Sequence, residues 1–270
     1  MSNHIYIVFD LDETIGQFGQ LYFFIRTLTK YSKKPVMTSD ILMLISKYTK
    51  YFRPYMFDIF NILKKNKIKY PEKIKVIIYS NNKIGNNWID LVRKYIEFKI
   101  KFRLFNDTIG PFMITDKVED KRRTTNSKTF EDLSNIIACK KESPIMFIDN
   151  SFFKHMNKEN IFYLLVEPYE YQYTINDLIN IYLNEYNVDD ENEFRMFIHN
   201  EMNRPFYKNI KMEITKNDIK NGREIMIHLK NFLSNHIDCD TKKKKYKTLK
   251  RSHYKFKKTR RDRTHKRQYY

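Results

Sequence analysis

The 270 residues, 41% of them hydrophobic, suffice for one α/β domain with an extension. The net charge of +19 is uneven: residues 241–270 carry 15 Lys/Arg against one acid, Asp262, a net +14, which leaves the preceding residues at only +5. Two cysteines, Cys139 and Cys239, form neither a metal-type spacing nor a disulfide framework, and no apolar run approaches the ~18 residues of a membrane span.

The N-terminus enters an apolar run at Ile5 with no charged leader before it, so a soluble, intracellular protein of cytoplasm or nucleus is expected. Residues 5–9 (IYIVF) are short, continuous and rich in β-branched and aromatic side chains, the pattern of a strand buried on both faces. After Pro54, the spacing of Phe57, Phe60 and Leu63 predicts a helix. A second strand follows at 74–79 (IKVIIY), then a helix carrying Trp88, Leu91, Val92 and Tyr95. Residues 107–127 are polar, contain Lys121-Arg122-Arg123, and read as a long loop. Strands are predicted at 145–148 (IMFI) and, more weakly, 161–166. Asn176 is the expected N-cap of a helix through Leu178, Ile179, Tyr182 and Leu183. Beyond residue 187 two amphipathic helices are expected, one behind Asp189-Asp190-Glu191 and one through Ile225, Leu229, Phe232 and Leu233. Strands alternating with helices imply an α/β fold with a doubly wound, mostly parallel, Rossmann-like sheet over 1–187, a helical extension over 188–240 and a basic tail over 241–270.

Ligands of such sheets sit beyond the carboxyl ends of the strands. Asp10-Leu11-Asp12-Glu13-Thr14 follows the first run, Ser80-Asn81-Asn82 the second, and Asp149-Asn150-Ser151 the third. Residues i and i+2 of an extended segment point the same way, so Asp10 and Asp12 can share a pocket. An ionised carboxylate can attack phosphorus once the phosphate's charge is neutralised, and Mg²⁺ held by oxygen ligands supplies that neutralisation. The second acid can protonate the leaving oxygen and later activate water. The hydroxyl and amides after the second strand can bind phosphate oxygens, and Asp149 and Asn150 can complete the network of metal and cation.

Val8-Phe9-Asp10-Leu11-Asp12-Glu13-Thr14 resembles the first motif of haloacid-dehalogenase-superfamily phosphotransferases. The closer resemblance is to the RNA polymerase II carboxy-terminal-domain phosphatases, including the small NLI-interacting-factor-like ones. It extends to Arg53-Pro54, Ser80 after its strand, Arg103-Leu104-Phe105, Glu131-Asp132-Leu133-Ser134 and Ile148-Asp149-Asn150-Ser151, spanning about residues 5–187. It implies that Asp10 forms an aspartyl phosphate and that Asp12 is the general acid/base. Asp10, Asp12 (through its backbone carbonyl) and Asn150 would bind Mg²⁺. Thr14, bracing the loop, would group with Ser80, Asn81 and a lysine as the phosphate-binding set, and Asp149 would orient that lysine. The family's lysine falls at Glu131. Lys128 lies three residues earlier, nearly one helical turn, and is the expected substitute.

The tail interleaves its basic residues with Tyr246, Tyr254, Phe256, Tyr269 and Tyr270, a composition expected to stay disordered and to suit phosphate pairing and base stacking, nuclear targeting or acidic protein surfaces. His155, His199, His228 and His236 show no zinc-type spacing; Trp88 and the alternating Tyr169, Tyr171 and Tyr173 are expected to pack in the core. Three functions follow: a phosphoserine/phosphothreonine protein phosphatase, a phosphatase of nucleic-acid ends with the same site, or a degenerate phosphatase fold that binds nucleic acid or serves as a scaffold.

Overall fold

The computed structural model describes residues 4–84, 87–114, 117–203 and 211–237. Cys239 and the basic tail lie outside them. Strand β1 (Ile5–Phe9) leads through helices α1 (Gly19–Ser32), α2 (Thr38–Lys47) and α3 (Met56–Lys69) to β2 (Ile74–Tyr79). Helix α4 (Trp88–Ile100) then returns the chain to β3 (Asp107–Ile109). A short antiparallel pair, β4 (Met113–Ile114) and β5 (Lys117–Val118), precedes α5 (Phe130–Ile136), β6 (Ile145–Asp149) and β7 (Ile161–Leu165). Helices α6 (Ile175–Leu183), α7 (Glu191–Met202) and α8 (Lys216–Ile237) complete the described chain.

The main sheet is parallel throughout, in the order β3-β2-β1-β6-β7. Order reverses between β1 and β6, the point where a doubly wound sheet opens a crevice at its carboxyl edge. Burial on both faces accounts for the continuous apolar runs. Ile5, Ile7 and Phe9 join the larger core with Val76, Ile78, Met146 and Ile148, while Tyr6 and Val8 join Ile77, Tyr79, Phe147 and Leu133 on the other face. Trp88, Tyr169, Tyr171 and Tyr173 are buried in the larger core, as their patterns imply.

Helices α7 and α8 belong to the same compact unit as the sheet. The first packs on α1 and the second on α3, where Gly222 lies so close to Pro54 that a Cβ would meet its carbonyl oxygen. Among the described residues, no helix is long and apolar enough to cross a membrane.

Several local expectations need correction. Residues 107–127 are not simply a loop: β3 adds a strand to the main sheet, and β4 and β5 follow it. Helix α6 is capped by Thr174, whose hydroxyl accepts the Asp177 N–H at 2.9 Å. Asn176 lies inside that helix and its Oδ1 meets His199 at 2.8 Å. Two helices, α1 and α2, occupy the stretch before Arg53 that carried no assignment.

Candidate active site

The first strand ends by delivering Asp10, whose N–H donates to the Ile148 carbonyl at 2.9 Å, so β1 and β6 stay in register to their last residues. Past Asp10 the chain turns sharply. Glu13 takes a left-handed conformation (φ 58°), and its N–H closes onto the Gly16 carbonyl at 2.7 Å. Arg53, 1% exposed, clamps this turn from behind: Nε donates to the Thr14 carbonyl at 2.7 Å, and Nη2 to the carbonyls of Glu13 at 2.6 Å and Glu167 at 2.7 Å. Burial pushes its pKa down to about 10, which still leaves it a cation at neutral pH. The Arg-Pro step therefore supports the acidic loop through its backbone carbonyls.

Lys128 is 1% exposed, and its ammonium lies between Asp10 Oδ1 at 2.5 Å and Asp149 Oδ2 at 2.7 Å. Burial alone would lower its pKa, but the two carboxylates outweigh it and hold the pKa above the ordinary lysine value. Burial raises the Asp149 pKa above the ordinary carboxylate value, and the Lys128 ammonium pulls it partly back. The expectation placed Lys128 on a helical face. The helix begins at Phe130 behind the Thr129 cap, so Lys128 reaches inward from the extended segment before it rather than from a shared helical face. Glu131 faces solvent and pairs with Lys158 at 3.0 Å.

Asp12 lies beside this cluster but takes its hydrogen bond from another loop. Asn82 Nδ2 donates to its Oδ2 at 2.5 Å, while Oδ1 is buried with no hydrogen-bond partner among the described residues. Burial, then the neighbouring Asp10 charge, pushes its pKa up to about 7. A carboxyl balanced between its two protonation states at neutral pH suits a group that gives and then takes a proton.

Asn150 is fixed on three sides. Its N–H donates to Thr14 Oγ1 at 3.0 Å, its Oδ1 accepts from that hydroxyl at 3.2 Å, and its Nδ2 donates to Glu13 Oε2 at 3.0 Å. Thr14 is fully buried in these bonds, so it braces Asn150 and is removed from the phosphate-contacting set. Ser80 is 1% exposed and its Oγ accepts the Asn82 N–H at 3.0 Å. Asn81 is turned to Arg123, whose Nη1 donates to its Oδ1 at 2.7 Å. Sequence reasoning missed the site contacts of Glu13, Asn82 and Arg123. The acidic pentad and the Ser-Asn-Asn run held the first two, and the Lys-Arg-Arg triplet held the third.

Among the described residues, no group of three or more His, Cys, Asp or Glu side chains is disposed to hold a metal ion. The Mg²⁺ set inferred above does not need one. It consists of a carboxylate from Asp10, the amide oxygen of Asn150 and the backbone carbonyl of Asp12, and such hard oxygen donors, completed by water, fit Mg²⁺. Asn150 fits best, because Glu13 takes its N–H and so fixes which end of the amide is the oxygen. From Asn82 a groove of about 340 Å³ runs past Trp88, Thr108, Pro111, Asp120 and Arg122. Comparison of the chain with family models, with curated proteins and with solved structures found no match.

Proposed function

We propose that the chain is a Mg²⁺-dependent phosphomonoester hydrolase that works through an aspartyl phosphate on Asp10. The observation that carries this reading is the buried Asp10–Lys128–Asp149 bridge, with Asp12 beside it presenting an oxygen that has no partner among the described residues. Asp10 Oδ2, the oxygen not bonded to Lys128, attacks phosphorus. The ester oxygen departs with the electron pair of the breaking P–O bond and takes a proton from Asp12. Asp12, now a carboxylate, removes a proton from the water that attacks the acyl phosphate; the P–O bond to Asp10 breaks, and both carboxyl groups return to their starting states. Lys128 and the groups after β2 counter the phosphoryl charge, while Arg53, Thr14 and Glu13 keep the loop in place. When bound, Mg²⁺ supplies further charge neutralisation and orients the phosphate.

Phosphoserine or phosphothreonine in protein is the substrate class that the family resemblance supports. The tail favours a second reading, phosphorylated nucleic-acid ends, because its net +14 would add affinity for a polyanion. A degenerate, purely binding protein was suggested by Glu131 in the lysine's place. The ammonium of Lys128 between the two aspartates weakens that argument. Purified chain with Mg²⁺ is expected to hydrolyse an aryl phosphate, and Asp10→Asn to lower the rate at least about a thousandfold. Activity surviving that substitution would remove Asp10 from the mechanism.

A further inference from the structure

The Lys121-Arg122-Arg123 triplet divides sharply in three dimensions. Arg122 is a surface residue in ion pairs with Asp107 and Asp120. Arg123 is 2% exposed, and among the described residues it forms no ion pair with a carboxylate. Its guanidinium lies 4.9 Å from the centre of the Tyr79 ring, and its Nε is buried with no acceptor among the described residues. Every hydrogen bond of this buried cation goes to a neutral group, and Asp132 and Asp120 attract it only from beyond ion-pair distance, so a structural filler is a poor account of it.

The guanidinium fork reaches three separate loops. Nη1 donates to Asn81 Oδ1 at 2.7 Å and to the Gly110 carbonyl at 2.8 Å; Nη2 donates to the Ser127 carbonyl at 3.0 Å. Asn81 and Ser80 follow β2, Gly110 follows β3, and Ser127 immediately precedes Lys128. A lysine cannot copy this pattern, since it lacks the planar fork. Two consequences follow. With Oδ1 of Asn81 engaged, the amide is left to offer its N–H groups elsewhere, and the turn that carries Lys128 is tied to the loop that carries Ser80.

We infer that Arg123 is a positioning residue of the phosphate site, fixing the Asn81 amide as a donor and the Ser127–Lys128 turn beside it. This rests on the phosphatase reading. Its test uses the full chain with Mg²⁺, an aryl phosphate as substrate and tungstate as a competing tetrahedral oxyanion. Arg123→Met keeps a long apolar stem against Tyr79 and removes the fork. It is expected to raise the tungstate inhibition constant and KM about tenfold. Asn81→Ala should reproduce part of that loss, and the double variant should be no worse than Arg123→Met within about twofold, because one effect runs through the other. Arg123→Lys should recover only part of the affinity, and it serves in the same cycle if the Met variant does not fold. Unchanged inhibition constants, or losses that multiply in the double variant, would overturn the assignment. Wild-type chain that neither turns over the ester nor binds tungstate would instead sink the phosphatase reading, and this inference with it.

Discussion

Lys128 holds two carboxylates that could not otherwise lie together out of water. Replacing it by Met leaves Asp10 and Asp149 facing each other uncompensated, at an expected cost of about 3–5 kcal/mol in stability together with loss of turnover. Glu131→Ala removes only an exposed pair with Lys158 and should change stability by at most about 1 kcal/mol, with activity intact. Thermal melts and aryl phosphate assays on the two variants decide which position supplies the cation; a severe loss in the Glu131 variant would contradict the assignment to Lys128. Asp12 gives a second residue-scale outcome. Its pKa is raised from 3.8 to about 7, so the folded state binds the proton more tightly than the unfolded one. The resulting stabilisation is complete below about pH 4 and is lost as the pH rises through 7. Asp12→Asn, neutral at every pH, should therefore match the wild type near pH 4 and melt higher at pH 8 in the presence of a chelator. The gap has a ceiling of about 4 kcal/mol. A gap independent of pH would show that Asp12 is not held protonated by the fold.

At the scale of elements, the contact of α8 with α3 depends on a missing side chain. Gly222→Ala gains roughly 1 kcal/mol of helix propensity but drives a methyl group into the Pro54 carbonyl, beside the Arg53 clamp. Overpacking of this kind costs about 1–3 kcal/mol, so a lower denaturation midpoint is expected, and a stabilised variant would mean that α8 does not seat there. The elements that position the site were those whose burial leaves a continuous signature. β1, β2 and β6 are covered on both faces and read as apolar runs, interrupted only by Lys75 in β2, and the acidic and amide groups that close or follow them could be placed on one edge. β3 escaped because only Ile109 of its three residues is buried, too little for any period. Helix α1 carries Leu21, Phe24, Ile25 and Leu28 at helical spacing, but Tyr22 and Phe23 between them blur the face. The site contacts that stayed hidden are tertiary. Asn82 meets Asp12 from 70 residues away and Lys128 meets Asp10 from 118, and nothing in Asn81-Asn82 says which amide turns to the acid and which to Arg123.

For the whole molecule, charge is concentrated where the chain leaves its described body. The tail's net +14 stands against +5 for everything before it, so the two parts should respond differently to salt. If the physiological substrate is a phosphorylated nucleic-acid end, residues 241–270 neutralise its backbone and release counterions. KM for such an oligonucleotide should then rise steeply between about 50 and 200 mM salt, and removal of the tail should flatten that dependence. A generic aryl phosphate, which has no polyanionic backbone to neutralise, should be hydrolysed equally by both forms at every salt concentration. With a phosphoserine peptide as the natural substrate, truncation should leave kcat/KM within about twofold, unless the peptide is strongly acidic. The useful comparison is therefore the salt slope of kcat/KM for matched phosphopeptide and oligonucleotide in the full and truncated chains. A slope that persists without the tail would move the nucleic-acid contacts onto the body, and equal slopes for both substrates would leave substrate choice to the groove that begins at Asn82.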